Sequence, residues 1–154
     1  MTNNSTGWIG EVPGNDEHLV KGQTFIADED GDLQAIKVFP NMVAKKSNVS
    51  MTLHNFDPHN QSWGQVLSSA HVELKGADEG KWISFNMHGT HLQKGRSYGF
   101  RLDTEDSYIG VGEACGSAKQ PAFKTGKEWQ FTPNNPEGDS YTYLSLAFKV
   151  EVAA

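Results

Sequence analysis

From Tyr143 to Val152 the residues Leu144, Leu146, Phe148, Val150 and Val152 alternate with Tyr143, Ser145, Ala147, Lys149 and Glu151. A period of two marks a strand with one face buried and one wet. The same alternation sets Val49, Met51 and Leu53 to one side, then Ile83, Phe85 and Met87, then Tyr98, Phe100 and Leu102. Shorter runs at 21–27, 33–40, 71–74, 108–111 and 129–131 extend the series to about eight or nine strands, separated by turn chemistry such as Asp28–Asp32 and Gly76–Gly80. Between Leu33 and Pro40 the pattern sets Leu33, Ala35, Lys37 and Phe39 opposite Ile36 and Val38. No segment sustains a helical apolar period over three turns. Strands with one apolar face each bury it against a second sheet, so the pattern predicts an all-β fold: a two-layer antiparallel β-sandwich of jelly-roll or Greek-key topology. Residues 1–18 are polar and glycine-dotted and read as a flexible N-terminal arm that Trp8 and Ile9 can pin; residues 19–154 read as one sandwich domain.

At 154 residues the chain is long enough to bury a self-sufficient core. Its 16 glycines suit turns better than helices, which strengthens the β reading. With 19 acidic against 13 basic side chains the formal charge is −6, which repels a phosphate backbone and argues against a nucleic-acid partner. The absence of a long apolar run argues against membrane insertion, and the opening residues lack the basic and apolar regions of a signal peptide. The lone cysteine, Cys115, has no internal partner and reads as a buried, inert thiol.

Read in order, Gly22-Gln-Thr-Phe25-Ile-Ala27, Asp30-Gly-Asp-Leu33, Val49–Leu53 and Gly64-Gln-Val-Leu67 open the chain's pattern. Lys81-Trp-Ile-Ser-Phe85, Leu92-Gln-Lys-Gly95-Arg-Ser-Tyr98, Trp129 and Leu146-Ala-Phe-Lys-Val150 complete it. The series resembles bacterial accessory β-sandwich modules, with their G-Q-S/T-F-x-A start, W-x-x-F and L-x-x-G-x-x-Y middle and L-A-F-R/K-V end. The resemblance spans residues 22–150. It implies a carbohydrate-binding-module-like jelly roll in an extracellular or cell-surface protein, beside neighbouring domains of a longer chain.

Glycans are held by flat aromatic faces and by planar amides, carboxylates and guanidinium groups that fork to hydroxyls. Trp63, in a polar connection from Phe56 to Gly64, is the favoured stacking platform, with Asn55, Asp57, His59 and Asn60 as candidate hydroxyl partners; Tyr108 is a second platform, with Asp106 and Glu113 near it. Trp82 and Trp129 read as partly buried sheet aromatics. The Asp28–Asp32 run has oxygens enough for calcium but lacks a twelve-residue loop with its distal Glu, and His88 and His91 lack further ligands at a zinc spacing, so no cofactor is expected. No nucleophile elbow, metalloprotease helix or phosphate loop occurs. The expectation is a non-catalytic carbohydrate-binding module, or alternatively a structural or adhesive spacer without a small ligand.

Overall fold

The computed structural model describes residues 4–105, 107–117 and 119–153. Its strands are β1 (Ser5–Gly10), β2 (Val20–Ile26), β3 (Gly31–Val38), β4 (Pro40–Val43), β5 (Ser47–Asp57), β6 (Ser62–Leu74) and β7 (Ile83–Asn86). They continue with β8 (His91–Leu92), β9 (Ser97–Thr104), β10 (Tyr108–Cys115), β11 (Glu128–Thr132), β12 (Asn135–Tyr141), β13 (Leu144–Leu146) and β14 (Phe148–Ala153). All pairings are antiparallel. One layer is a six-stranded sheet in the order β12-β11-β2-β9-β5-β6.

The second layer has two halves. β1-β10-β13 with β4 beside β10 forms one, and β14-β3-β7 with β8 beside β3 forms the other. They meet where β3 runs into β4 and β13 into β14: Gly112 N donates to Phe39 O at 2.6 Å, and Ala147 N to Gly112 O at 2.8 Å.

The two layers close over one apolar interior, as the alternation predicts. Val49, Met51, Leu53, Tyr98, Phe100, Leu102 and Phe25 from the six-stranded sheet pack with Ile36, Val38, Phe85, Met87, Ile109, Val111 and Leu146 from the other. Burying a large apolar side chain is worth about 1.5–3 kcal/mol each, so these rows carry the fold. Leu33 is buried on the same side as Ile36 and Val38, against the simple alternation. The cause is a bulge between Glu151 and Val152, which shifts the β3–β14 register by one residue and turns Leu33 inward.

Other expectations change. Within the predicted arm, Ser5–Gly10 is a strand paired to β10, Ile9 is fully buried, and Leu19 bridges back to Gly10. The apolar side chain of Ile9 and a free edge of β10 outweigh the polar composition of the segment. The polar connection after Phe56 shrinks to a tight hairpin at 58–61, with Gln61 in the left-handed region at φ 53°. Cys115 is exposed rather than buried, because the end of β10 runs out beyond the core.

Candidate functional site

Trp63 is not a loop residue. It lies at the start of β6, opposite Phe56, and its ring settles on the outer face of the six-stranded sheet. Glycines on two adjacent central strands make the seat: a Cβ on Gly99 would stand 2.4 Å from Cζ3 of Trp63, and one on Gly22 3.1 Å from Cη2. Around it, Trp129, Phe131, Phe56 and His54 present rings at 5.4–5.9 Å, all near-perpendicular. The Arg101 guanidinium lies 4.7 Å from the Trp63 ring centre and 3.9 Å from that of Phe131. Trp63 is half-buried while Phe56, Trp129 and Phe131 are buried, so a second small core exists outside the main one. Its aromatic faces are spent on one another, and burial holds the Arg101 guanidinium below its ordinary pKa. Burial likewise pulls His54 down, assisted by the Arg101 charge and opposed by a hydrogen bond with Gly64 O, so its imidazole is neutral at pH 7.

Asp57, His59 and Asn60 come together as the turn that closes the β5–β6 hairpin. Asp57 Oδ1 accepts from the backbone of His59 at 2.9 Å and of Asn60 at 3.2 Å, while Oδ2 accepts from Asn60 Nδ2 at 2.8 Å. The hydrogen bonds with Asn60, backbone first, lower the Asp57 pKa against a small opposing effect of burial. The Asp57 carboxylate therefore organises its own turn. Tyr108 stands apart on the second layer, its ring 6.1 Å from that of Trp8. Asp106 lies outside the described residues.

Beside the hairpin turn a depression of about 480 Å³ opens towards the start of β9. Asn55, Asp57, Ser62, Arg96 and Ser97 line it with Phe56 and Pro58. The loops bring a planar amide, a carboxylate, a guanidinium and two hydroxyls to one apolar-sided hollow. Of these, the sequence pattern singles out Asn55 and Asp57. Arg96 escapes because its neighbourhood, Leu92–Ser97, reads as an ordinary turn, and only the β5–β9 pairing carries it to the hairpin.

The Asp28–Asp32 run spends two of its carboxylates on protein groups: Asp30 Oδ1 accepts from Lys94 N, and Asp32 Oδ1 pairs with His91 Nδ1. Among the described residues no group of three or more His, Cys, Asp or Glu is gathered for a metal ion.

A second cluster is sealed between the layers. Lys21, Glu113 and Glu128 are 6%, 4% and 0% exposed. Lys21 Nζ is 3.0 Å from Glu128 Oε2, and Ser5 Oγ donates to Glu113 Oε1 at 2.9 Å. Gly7 leaves room for both: a Cβ there would stand 2.9 Å from Glu113 Oε2 and 3.4 Å from Lys21 Cε. Burial first, then a hydrogen bond with Glu113, push Glu128 up to about 8, against the opposing charge of Lys21. Glu128 Oε1 has no hydrogen-bond donor among fixed protein groups. Sequence reasoning passes over Lys21 and Glu128, although Lys21 shares the inward parity of Phe25 and so announces a charge inside the sandwich.

Among the described residues no helix is long and apolar enough to cross a membrane. No protein-family model matches the chain, and no curated protein matches it.

Proposed function

We propose that this protein is a non-catalytic carbohydrate-binding module of an extracellular or cell-surface protein, and that it holds its glycan in the depression beside the β5–β6 hairpin. The carrying observation is the lining of that depression, where Asn55, Arg96, Ser62 and Ser97 surround an approach bordered by Phe56 and Pro58. Amide and guanidinium groups fork to vicinal hydroxyls, while the apolar edge meets sugar C–H surfaces. The volume falls within the roughly 300–1,000 Å³ typical of small-ligand sites. Trp63 pairs with Phe56 of this lining and packs its ring 5.7 Å from that of Phe56, fixing the start of β6. Affinity at one shallow site is weak, and neighbouring domains would raise it by avidity.

The test is affinity electrophoresis against a panel of neutral and acidic polysaccharides. Retardation lost in Arg96→Ala and in Ser62→Ala, with unchanged thermal melting, supports the reading; retardation unchanged in both removes the depression from it.

The alternative is a structural or adhesive spacer. Its favouring observation is the investment in rigidity: a second aromatic core outside the main one, and a charged cluster sealed between the layers. Indifference to every polysaccharide, in a protein with a high melting temperature, would select it.

A further inference from the structure

We propose that Lys21 and Glu128 condense to an intramolecular amide, a covalent bolt between neighbouring strands β2 and β11. This goes beyond glycan recognition and does not depend on it.

Geometry carries the inference. The Lys21 Nζ lies 3.0 Å from a Glu128 carboxyl oxygen, so the acyl carbon it would attack, Cδ, is one covalent bond beyond that contact, and holding partners in place in this way is what makes an intramolecular step fast. Lys21 is on β2 and Glu128 on β11, which are held in fixed register by the pairs Glu128 with Gln23 and Gln130 with Lys21. The two side chains therefore meet diagonally on the inner face, with no slack in the backbone. Glu128 is fully sealed and Lys21 nearly so, while the Tyr141 ring stands 5.8 Å from Nζ. Bulk water is kept from the reacting atoms.

The chemistry needs three things that an ordinary surface ion pair lacks. The acyl carbon must belong to a protonated carboxyl, since a carboxylate repels a nucleophile and offers no leaving group. Burial and the neighbouring Glu113 keep Glu128 in that form, its pKa pushed up to about 8. The amine must shed a proton, and a base must take it. Glu113 lies against the same carboxyl, and like Lys21 it abuts Gly7.

The step balances. The Lys21 ammonium gives a proton to the Glu113 carboxylate. Its neutral nitrogen attacks Cδ of protonated Glu128, forming the C–N bond. Glu113 takes the second nitrogen proton and returns one to the departing hydroxyl, so the C–O bond breaks and water leaves. The product is a neutral amide with Glu113 protonated, and no oxidant, metal or cofactor takes part. General acid–base assistance of this kind is worth about 10²–10⁴ in rate, and holding the partners together supplies much of the rest.

Intact mass spectrometry tests it. The folded protein is expected one water below the mass of its sequence, whereas chain collected directly into denaturant after synthesis carries the full mass and loses water only on folding. Trypsin should release a branched peptide joining residues 1–37 to residues 128–149, because the bonded Lys21 is no longer cleaved. Lys21→Arg, which keeps the positive charge, should restore the full mass, as should Glu113→Gln. Folded wild-type protein at full mass overturns the proposal, and so does a water loss that maps to any other pair of residues.

Discussion

On the outer face of the six-stranded sheet, Trp63 lies over two glycines and meets four rings edge-on, and its neighbours Trp129 and Phe131 are each 4% exposed. On the outer face of the β14-β3-β7 sheet, Trp82 stands 39% exposed, with the edge of Phe39 at 5.3 Å and Lys149 Nζ 4.3 Å above its ring. Both faces pair tryptophan with phenylalanine and a cation. What separates them is the backbone beneath: Gly22 and Gly99 remove the side chains that would hold an indole away from the sheet, whereas the row beside Trp82 carries Lys37, Ser84 and Lys149. An aromatic on a sheet is therefore packing or platform according to the strands across from it, not according to its own surroundings in the chain.

The largest expected effect is Trp63→Ala. It empties the seat and should cost about 3 kcal/mol, the low end for losing a buried tryptophan, read as a fall in the urea midpoint. Next is Gly99→Ala. The added Cβ would stand 2.4 Å from the indole, and overpacking of this kind costs about 1–3 kcal/mol. A Gly99→Ala protein as stable as wild type would mean that Trp63 is not seated there.

A pH scan sharpens the contrast between sealed and open charge. Burial draws the His18 pKa down, but hydrogen bonds with Asp103 at 2.5 Å and Glu11 at 2.7 Å raise it overall. Its contribution to stability is complete below the ordinary value of 6.5 and is lost as pH rises through the higher folded value. His18→Gln should flatten that decline in urea midpoint. Glu128 acts with the same sign in unbonded chain: its raised pKa contributes fully below the ordinary 4.5 and is lost as pH rises through about 8. Once bonded to Lys21 it no longer titrates, leaving the decline to His18. The smallest effect is Trp82→Ala, expected below about 1 kcal/mol because the ring is open to solvent and its cation contact is exposed. A loss as large as that of Trp63→Ala would erase the distinction between the two faces.

The parts of the fold written in local alternation were legible. Val49, Met51 and Leu53, and Tyr98, Phe100 and Leu102, face inward as their period of two demands. Ile9 was masked by polar neighbours, since pairing to β10 is a long-range fact. Trp63 was misplaced for the same reason: Asp57-Pro58 and the polar residues after it mimic a long loop, and the seat that explains the indole belongs to Gly22 and Gly99, dozens of residues away in either direction. The polar half of the site was only partly legible. Asn55 and Asp57 showed themselves by chemistry, but the Asp57 carboxylate is bound to its own turn, and Arg96 joins them through sheet register alone.

Glycan recognition is proposed for the hollow lined by Asn55, Ser62 and Arg96. Polysaccharide affinity electrophoresis of wild type, Arg96→Ala and Trp82→Ala, run with melting curves, tests it most directly. Retardation is expected for wild type and Trp82→Ala, and free migration for folded Arg96→Ala. Retardation that survives Arg96→Ala and disappears in Trp82→Ala would contradict it and move the site to the opposite face.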